Sequence, residues 1–288
     1  MAKAPSLKIA LDRICQKYDR SFISPDPVEI PHEYADPADQ ELAALVAAVL
    51  AYGNVRQILA SVRSLMNQLG PRPARRVSRL TNLQAIEATQ GLKHRFNTET
   101  DFARLLLALR DIMNEHGSLE AAFMRHWRSD HANIGPALEG FALDFRERDY
   151  PEIESRRLER GLRSRYDFFF PLPSAGGACK RLNLFLRWMA RPADGVDFGL
   201  WKNLPPAKLV MPVDTHVFRI ARQIGLVERK TADWKAAVEI TERLRKFEPE
   251  DPLRYDFALT RPGILGECGR CEKGDPSHSC ALEKICRR

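Results

Sequence analysis

Apolar residues recur at intervals of three and four along most of this chain. No convincing stretch alternates with the period of two that a half-buried strand requires. That pattern restricts the fold class to all-α. A first helix is expected over residues 6–18, where Leu7, Ala10, Leu11, Ile14 and Cys15 share one face. After a proline-rich connector, Asp36-Pro37-Ala38-Asp39-Gln40-Glu41 sets an acidic first turn and an early proline ahead of Leu42, Leu45, Val46, Val49 and Leu50. That helix runs out at Ala51-Tyr52-Gly53-Asn54, and the next takes residues 55–69, ending at Gly70-Pro71. Further helices are expected over 82–91, 101–116, 118–127 and 136–148, with Tyr150-Pro151 as a stop. A short one follows over 158–166, then others over 182–191, 214–224, 231–247 and 253–260, with a loop over 192–206.

Composition narrows the class of partner. A length of 288 residues suffices for a sizeable core or two lobes, and the net charge of +7 favours polyanions. No apolar run is long enough to span a bilayer, and the N-terminus lacks a signal-peptide core, so no membrane partner and a cytoplasmic location are expected. Four of the six cysteines crowd the C-terminus as Cys268-x2-Cys271-x8-Cys280-x5-Cys286. Four thiolates at such spacing suit one metal or a [4Fe–4S] cube better than a disulfide framework.

The phrase Leu209-Val210-Met211-Pro212-Val213-Asp214-Thr215-His216-Val217-Phe218-Arg219 places an acid where a helix begins, since Val217, Ile220, Ala221 and Ile224 follow at helical spacing. An aspartate there can cap the free N–H groups of the first turn. Upstream lies a turn, Leu172-Pro173-Ser174-Ala175-Gly176-Gly177, followed by Ala178-Cys179-Lys180-Arg181 and a new helix. A Leu-Pro-x-x-Gly turn, a helix, a loop, Val-Asp-Thr-His-x-Phe-Arg and a final cysteine cluster together resemble endonuclease III and the wider helix-hairpin-helix DNA glycosylase superfamily. The runs GACKRLNLFLRWMARPADGVDFGLW, MPVDTHVFRIARQIGL and PEDPLRYDFAL resemble an uncharacterised bacterial and archaeal family assigned to that superfamily. The long loop before Asp214 is also similar to that of the archaeal 8-oxoguanine glycosylases.

The resemblance implies roles. Asp214 would stabilise positive charge developing on the sugar as an N-glycosidic bond breaks, and activate a water or amine. Lys180 would be that amine in a bifunctional enzyme; a phosphate contact is the other reading. The usual lysine position falls on Ala178, two residues before Lys180, a departure from the family pattern. Ser174, Gly176, Gly177, Arg181, His216 and Arg219 would hold DNA, backbone N–H groups of the turn meeting a phosphate. Tyr52, Asn54 and Phe96 would wall the pocket for the flipped base, with His94 and Arg95 in a basic loop beside them. Trp188, Trp201 and Trp234 offer stacking surfaces or core. Arg72, Arg75, Arg76 and Arg79 read as a solvated face. Cys268, Cys271, Cys280 and Cys286 would hold a [4Fe–4S] cluster, with zinc as the alternative because the middle spacing departs from C-x6-C-x2-C-x5-C. Around them, Arg270, Lys273, Lys284, Arg287 and Arg288 are available to phosphates.

The implied architecture is two helical lobes around a cleft, one over residues 39–188 and the other joining 1–38 to 189–288. The implied activity is excision of a damaged base, with oxidised purine the leading class, from double-stranded DNA by a monomer. AP-lyase strand cleavage is a second step left open. A non-catalytic nucleic-acid-binding protein of the same fold and an enzyme acting on RNA or nucleotides are the rivals.

Overall fold

The computed structural model describes residues 4–268, 282, 285 and 286. The described elements are helices α1 (Ala4–Lys17), α2 (Pro37–Val49), α3 (Val55–Leu69), α4 (Pro73–Val77), α5 (Asn82–Ala88), α6 (Glu99–His116), α7 (Leu119–Met124), α8 (Gly135–Arg146), α9 (Pro151–Glu159), α10 (Lys180–Ala190), α11 (Thr215–Gln223), α12 (Trp234–Arg245) and α13 (Asp256–Ile264). A hairpin of two-residue strands, β1 (Lys93–His94) and β2 (Asn97–Thr98), is the strand content among the described residues. The protein is all-α.

The chain forms two compact units, one of residues 25–175 and one joining 1–24 to 176–288. The sequence-based boundary at Trp188 would have cut α10 in two; the observed division at Gly176 keeps that helix whole, in the same unit as Asp214.

In the unit of residues 25–175, α2 is the central element. Every residue from Leu42 to Leu50 is fully buried, so the helix is apolar all round rather than striped. Its two early carboxylates, both buried, cap other helices. Asp39 accepts the Ala74 N–H at 2.8 Å in the first turn of α4, and Glu41 accepts the N–H groups of Leu119 and Glu120 at 3.1 and 3.0 Å at the start of α7. An aromatic stack fills the remaining core, with Phe145 parallel to Phe170 at 4.1 Å and Phe141 edge-on to Phe123 and Phe145.

Residues 151–166 depart from expectation. Tyr150-Pro151 starts α9 rather than stopping a helix, because proline at the first helical position loses no intrahelical bond. The helix ends before Gly161, which adopts φ +61°, and a 3₁₀ turn at Tyr166–Phe168 replaces the helix expected over 158–166. Helix α4 was read only as a basic run; five residues are too few for periodicity to announce them.

The other unit is held by buried ion pairs. Arg187, on α10 and 3% exposed, donates to Asp197 at 3.1 Å and to Asp256 at the start of α13. Arg191 donates to Asp251 at 2.9 Å and also pairs with Asp194 and Asp197. The loop over 192–206 is pinned to α10, since Phe198 and Trp201 donate their N–H groups to the Trp188 and Met189 carbonyls. Gly199 is required there: its φ is +59°, and a Cβ would lie 2.8 Å from the Ala193 nitrogen.

Truncating one partner of such a network leaves a buried carboxylate uncompensated. Arg187→Leu should therefore destabilise this unit by about 3–5 kcal/mol. Urea unfolding followed by tryptophan fluorescence measures it, because Trp188, Trp201 and Trp234 lie in this unit.

Candidate active site

Asp214 sits at the N-cap of α11 in extended backbone geometry. Its Oδ1 accepts the N–H groups of His216 at 2.9 Å and Val217 at 2.8 Å. Burial of Val213 and Val217 on either side fixes the entry and leaves the carboxylate facing outward. Its Oδ2 lies 3.6 Å from Lys180 Nζ, with the two side chains 31% and 33% exposed respectively. The carboxylate thus divides its work: one oxygen caps the helix, and the other meets an accessible amine.

Lys180 reaches this position through a backbone kink. Cys179 precedes α10 in the left-handed conformation, φ +48° and ψ +31°, with its side chain buried and Sγ turned onto the Gly177 carbonyl at 3.4 Å. A left-handed non-glycine residue costs about 1 kcal/mol and re-aims the chain. Lys180 is the first residue of α10 and Ala178 lies before the helix. On a regular helix, side chains two positions apart point about 200° away from each other; with Ala178 outside the helix that relation does not govern where Lys180 points.

The turn itself differs from expectation. It is entered from 3₁₀ turns at Tyr166–Phe168 and Pro173–Ala175, and α9, the last α-helix before it, ends at Glu159. Gly176 has φ +82°, its carbonyl accepts the Trp234 N–H at 3.0 Å, and Gly177 forms a bridge with Asp233. Asp233 caps α12, and its side-chain bonds from Arg229 hold its carboxyl well below the usual carboxylate range. That contribution to stability is complete above the unfolded carboxyl's range and is lost progressively as pH falls from there through the depressed folded value.

The remaining expected DNA contacts divide. His216 and Arg219 are exposed on α11, whereas Arg181 is only 7% exposed, packed into α10 rather than offered to a phosphate. Ser174 is exposed, but its N–H and hydroxyl both donate to the Glu139 carboxylate.

In the unit of residues 25–175, Tyr52 and Phe96 do come together. Their rings stack at 5.6 Å, and Phe168 stands edge-on to both, at 4.9 and 4.7 Å. Phe96 and Phe168 are 40% and 41% exposed, leaving an aromatic shelf at the surface. Phe168 was missed; in the run Phe168-Phe169-Phe170 only its neighbours are fully buried, which no spacing rule distinguishes. His94 belongs to the hairpin rather than a basic loop: it is buried, with Nδ1 3.0 Å from Ser61 Oγ and Nε2 3.0 Å from the Tyr52 carbonyl. Arg95 takes φ +54° at the tip and lays its side chain over Gly53. Asn54 is the N-cap of α3, its side chain accepting from Arg56 N at 2.9 Å. Trp188 and Trp201 are buried core residues, not stacking surfaces.

Cys268 and Cys286 are half-buried. Cys271 and Cys280 lie outside the described residues, as do Arg270, Lys273, Lys284, Arg287 and Arg288.

An all-helical protein with a capped aspartate paired to an accessible lysine is what the fold and site define. Residues 26–265 match the model of a family described as proteins of unknown function, DUF2400, and the chain belongs to that family. Neither the curated proteins nor the solved structures contain a match to it. No helix among the described residues is long and apolar enough to cross a membrane.

Capping and chemistry at Asp214 separate experimentally. Asp214→Ala should lower stability by about 1 kcal/mol, while Asp214→Asn, a cap of equal rank, should change it by less than half as much. Urea midpoints of the two variants against the native chain test this.

Proposed function

We propose that this protein is a DNA glycosylase of base-excision repair, acting on a damaged, oxidised-purine base in double-stranded DNA, with AP-lyase capability supplied by Lys180. The observation that carries the reading is the 3.6 Å approach of Lys180 Nζ to Asp214 Oδ2, within the very segments that resemble the glycosylases. Cleavage of an N-glycosidic bond builds positive charge on the sugar. A carboxylate held rigid by its cap bonds stabilises that charge without reorganising. In the bifunctional route Asp214 accepts a proton from Lys180, and the freed amine attacks C1′ as the base departs with the bonding electrons. The aminal so formed passes a proton from nitrogen to O4′. The C1′–O4′ bond breaks with its electrons on that oxygen, and the nitrogen lone pair closes the C1′=N bond of a Schiff base. Loss of a C2′ proton and of the 3′ phosphate by β-elimination then cleaves the strand.

Exposed His216 and Arg219 and the Gly176-Gly177 segment are the candidates for phosphate contact in this reading. The Tyr52–Phe96–Phe168 shelf offers π-faces to an unstacked base, an interaction worth ~1–3 kcal/mol per base. Cys268, Cys271, Cys280 and Cys286 form a donor set suited to a [4Fe–4S] cluster, which would organise the C-terminal segment. The displacement of the amine from the usual lysine position, occupied by Ala178, favours a second reading, a nucleic-acid-binding protein without catalysis.

Single-turnover assays on duplexes carrying one lesion each decide between them. Excision should occur for an oxidised purine and fall by about 10²–10³ in Asp214→Asn with duplex binding retained. Excision of no lesion in a broad panel, with binding intact, would establish the second reading. Borohydride should trap native protein on abasic DNA and fail to trap Lys180→Gln; trapping that survives the substitution rejects Lys180 as nucleophile. Protein purified without oxygen should be brown and hold about four irons per chain, measured by iron and sulfide assay; stoichiometric zinc instead would replace the cluster assignment.

A further inference from the structure

Helix α4 is short, but its surface is unusual for this chain. Pro73, Ala74 and Val77 are buried, and Leu80 just beyond follows them inward. Arg75 and Arg76 are exposed on α4, and exposed Arg72 at its N-cap and Arg79 in the turn beyond Ser78 flank them, which puts four guanidinium groups within eight residues. None of the four guanidinium groups has a carboxylate partner among the described residues. Some arginines of the same unit are neutralised, Arg63 by Glu29 and Glu33, Arg146 by Asp167, Arg148 by Glu115 and Arg157 by Glu154, and others such as Arg56 and Arg156 are not; what sets residues 72–79 apart is four such arginines within eight residues.

Helix stabilisation does not account for the pattern. Arg75 and Arg76 lie in the last turn, where a cation is favoured by the backbone dipole. Arg72 is at the N-cap, where a cation is disfavoured, and its donor-only side chain accepts no cap bond. Like charges at three- and four-residue spacing also repel by about 0.2–0.5 kcal/mol per pair. The backbone carrying them is nevertheless held at both ends, by Asp39 on the Ala74 N–H and by Asn114 Nδ2 on the Ser78 carbonyl at 3.0 Å. The cluster of charges is therefore presented on a fixed support rather than on a mobile loop.

We propose that the Arg72–Arg75–Arg76–Arg79 cluster binds the phosphate backbone of duplex DNA, as a sequence-independent surface separate from the residues assigned to excision. Four unpaired guanidiniums within eight residues complement a line of phosphates, each able to take a bidentate contact. The choice of DNA as the polyanion rests on the glycosylase reading; the charge pattern itself does not.

Undamaged duplex is the probe, so the test needs no excision. Fluorescence anisotropy of a labelled undamaged duplex is measured across a salt series for the native chain and for the quadruple Arg→Gln variant at 72, 75, 76 and 79. A control substitutes glutamine at Lys202, Lys230, Lys235 and Arg128, removing the same formal charge from exposed sites elsewhere. The slope of log K against log salt should shrink by about 2–4 in the α4 variant, since each lost phosphate contact removes about 0.9. It should shrink by less than about 1 in the control, and the quadruple Arg→Lys variant should keep most of the native slope. Circular dichroism melting curves accompany each variant; should the Gln variant lose its fold, the single Arg75→Gln and Arg76→Gln variants carry the test, each expected to remove about 0.9. Equal slopes for the α4 variant and the control overturn the proposal. So does an arginine-dependent affinity for polyglutamate with none for duplex. Lesion excision with unchanged slopes would reject this surface and keep the glycosylase reading. Slope loss without excision of any lesion would do the reverse.

Discussion

The buried charge network on α10 is the constraint on which the catalytic candidate depends. Arg187 joins α10 to the start of α13 through Asp256 and to the long loop through Asp197. Helix α13 packs on α11, whose N-cap is Asp214, while α10 begins with Lys180. The separation of the amine and the carboxylate is thus set by an ion pair two turns away, in a place water does not reach. Burial pushes the Asp256 carboxyl up, and the always-charged Arg187 guanidinium works against that. Such pairs contribute little net stability compared with apolar packing, but they tolerate only one arrangement of their partners. Fixing the position of a reactive group is a use to which that intolerance is suited.

A similar economy operates in the other unit. Helix α2 is apolar on every side, and its early acids are committed to the free N–H groups of α4 and α7. The sequence announces an acidic first turn, a normal dipole complement. That Asp39 and Glu41 serve other helices depends on contacts formed between segments 35 and 78 residues apart. No local rule contains that information.

Much of the architecture was nevertheless legible. The long helices, α2, α3, α6 and α12, follow from apolar spacing and, for α2, from the acidic first turn and early proline after Asp36; that Asn54 and Asp233 cap α3 and α12 is seen only in the structure. The boundary errors cluster around proline and short elements, because Pro151 can open a helix as readily as close one. At the candidate site, the N-cap role of Asp214 was readable from one acid before a periodic stretch. The meeting with Lys180 was not readable from spacing, since it turns on the left-handed Cys179. The burial of Arg181 was hidden for a related reason: an arginine immediately ahead of Leu182-Asn183-Leu184-Phe185 carries no mark of which side it faces.

The kink at Cys179 bears on how relatives of this chain are to be recognised. Where one backbone hinge decides which side chain arrives at the carboxylate, the residue count between glycine pair and lysine is not the quantity that evolution must preserve. An insertion or deletion there can be absorbed by shifting the hinge with it. Patterns written with a rigid interval would pass over such chains, whereas one that scores a left-handed residue immediately ahead of the amine would find them.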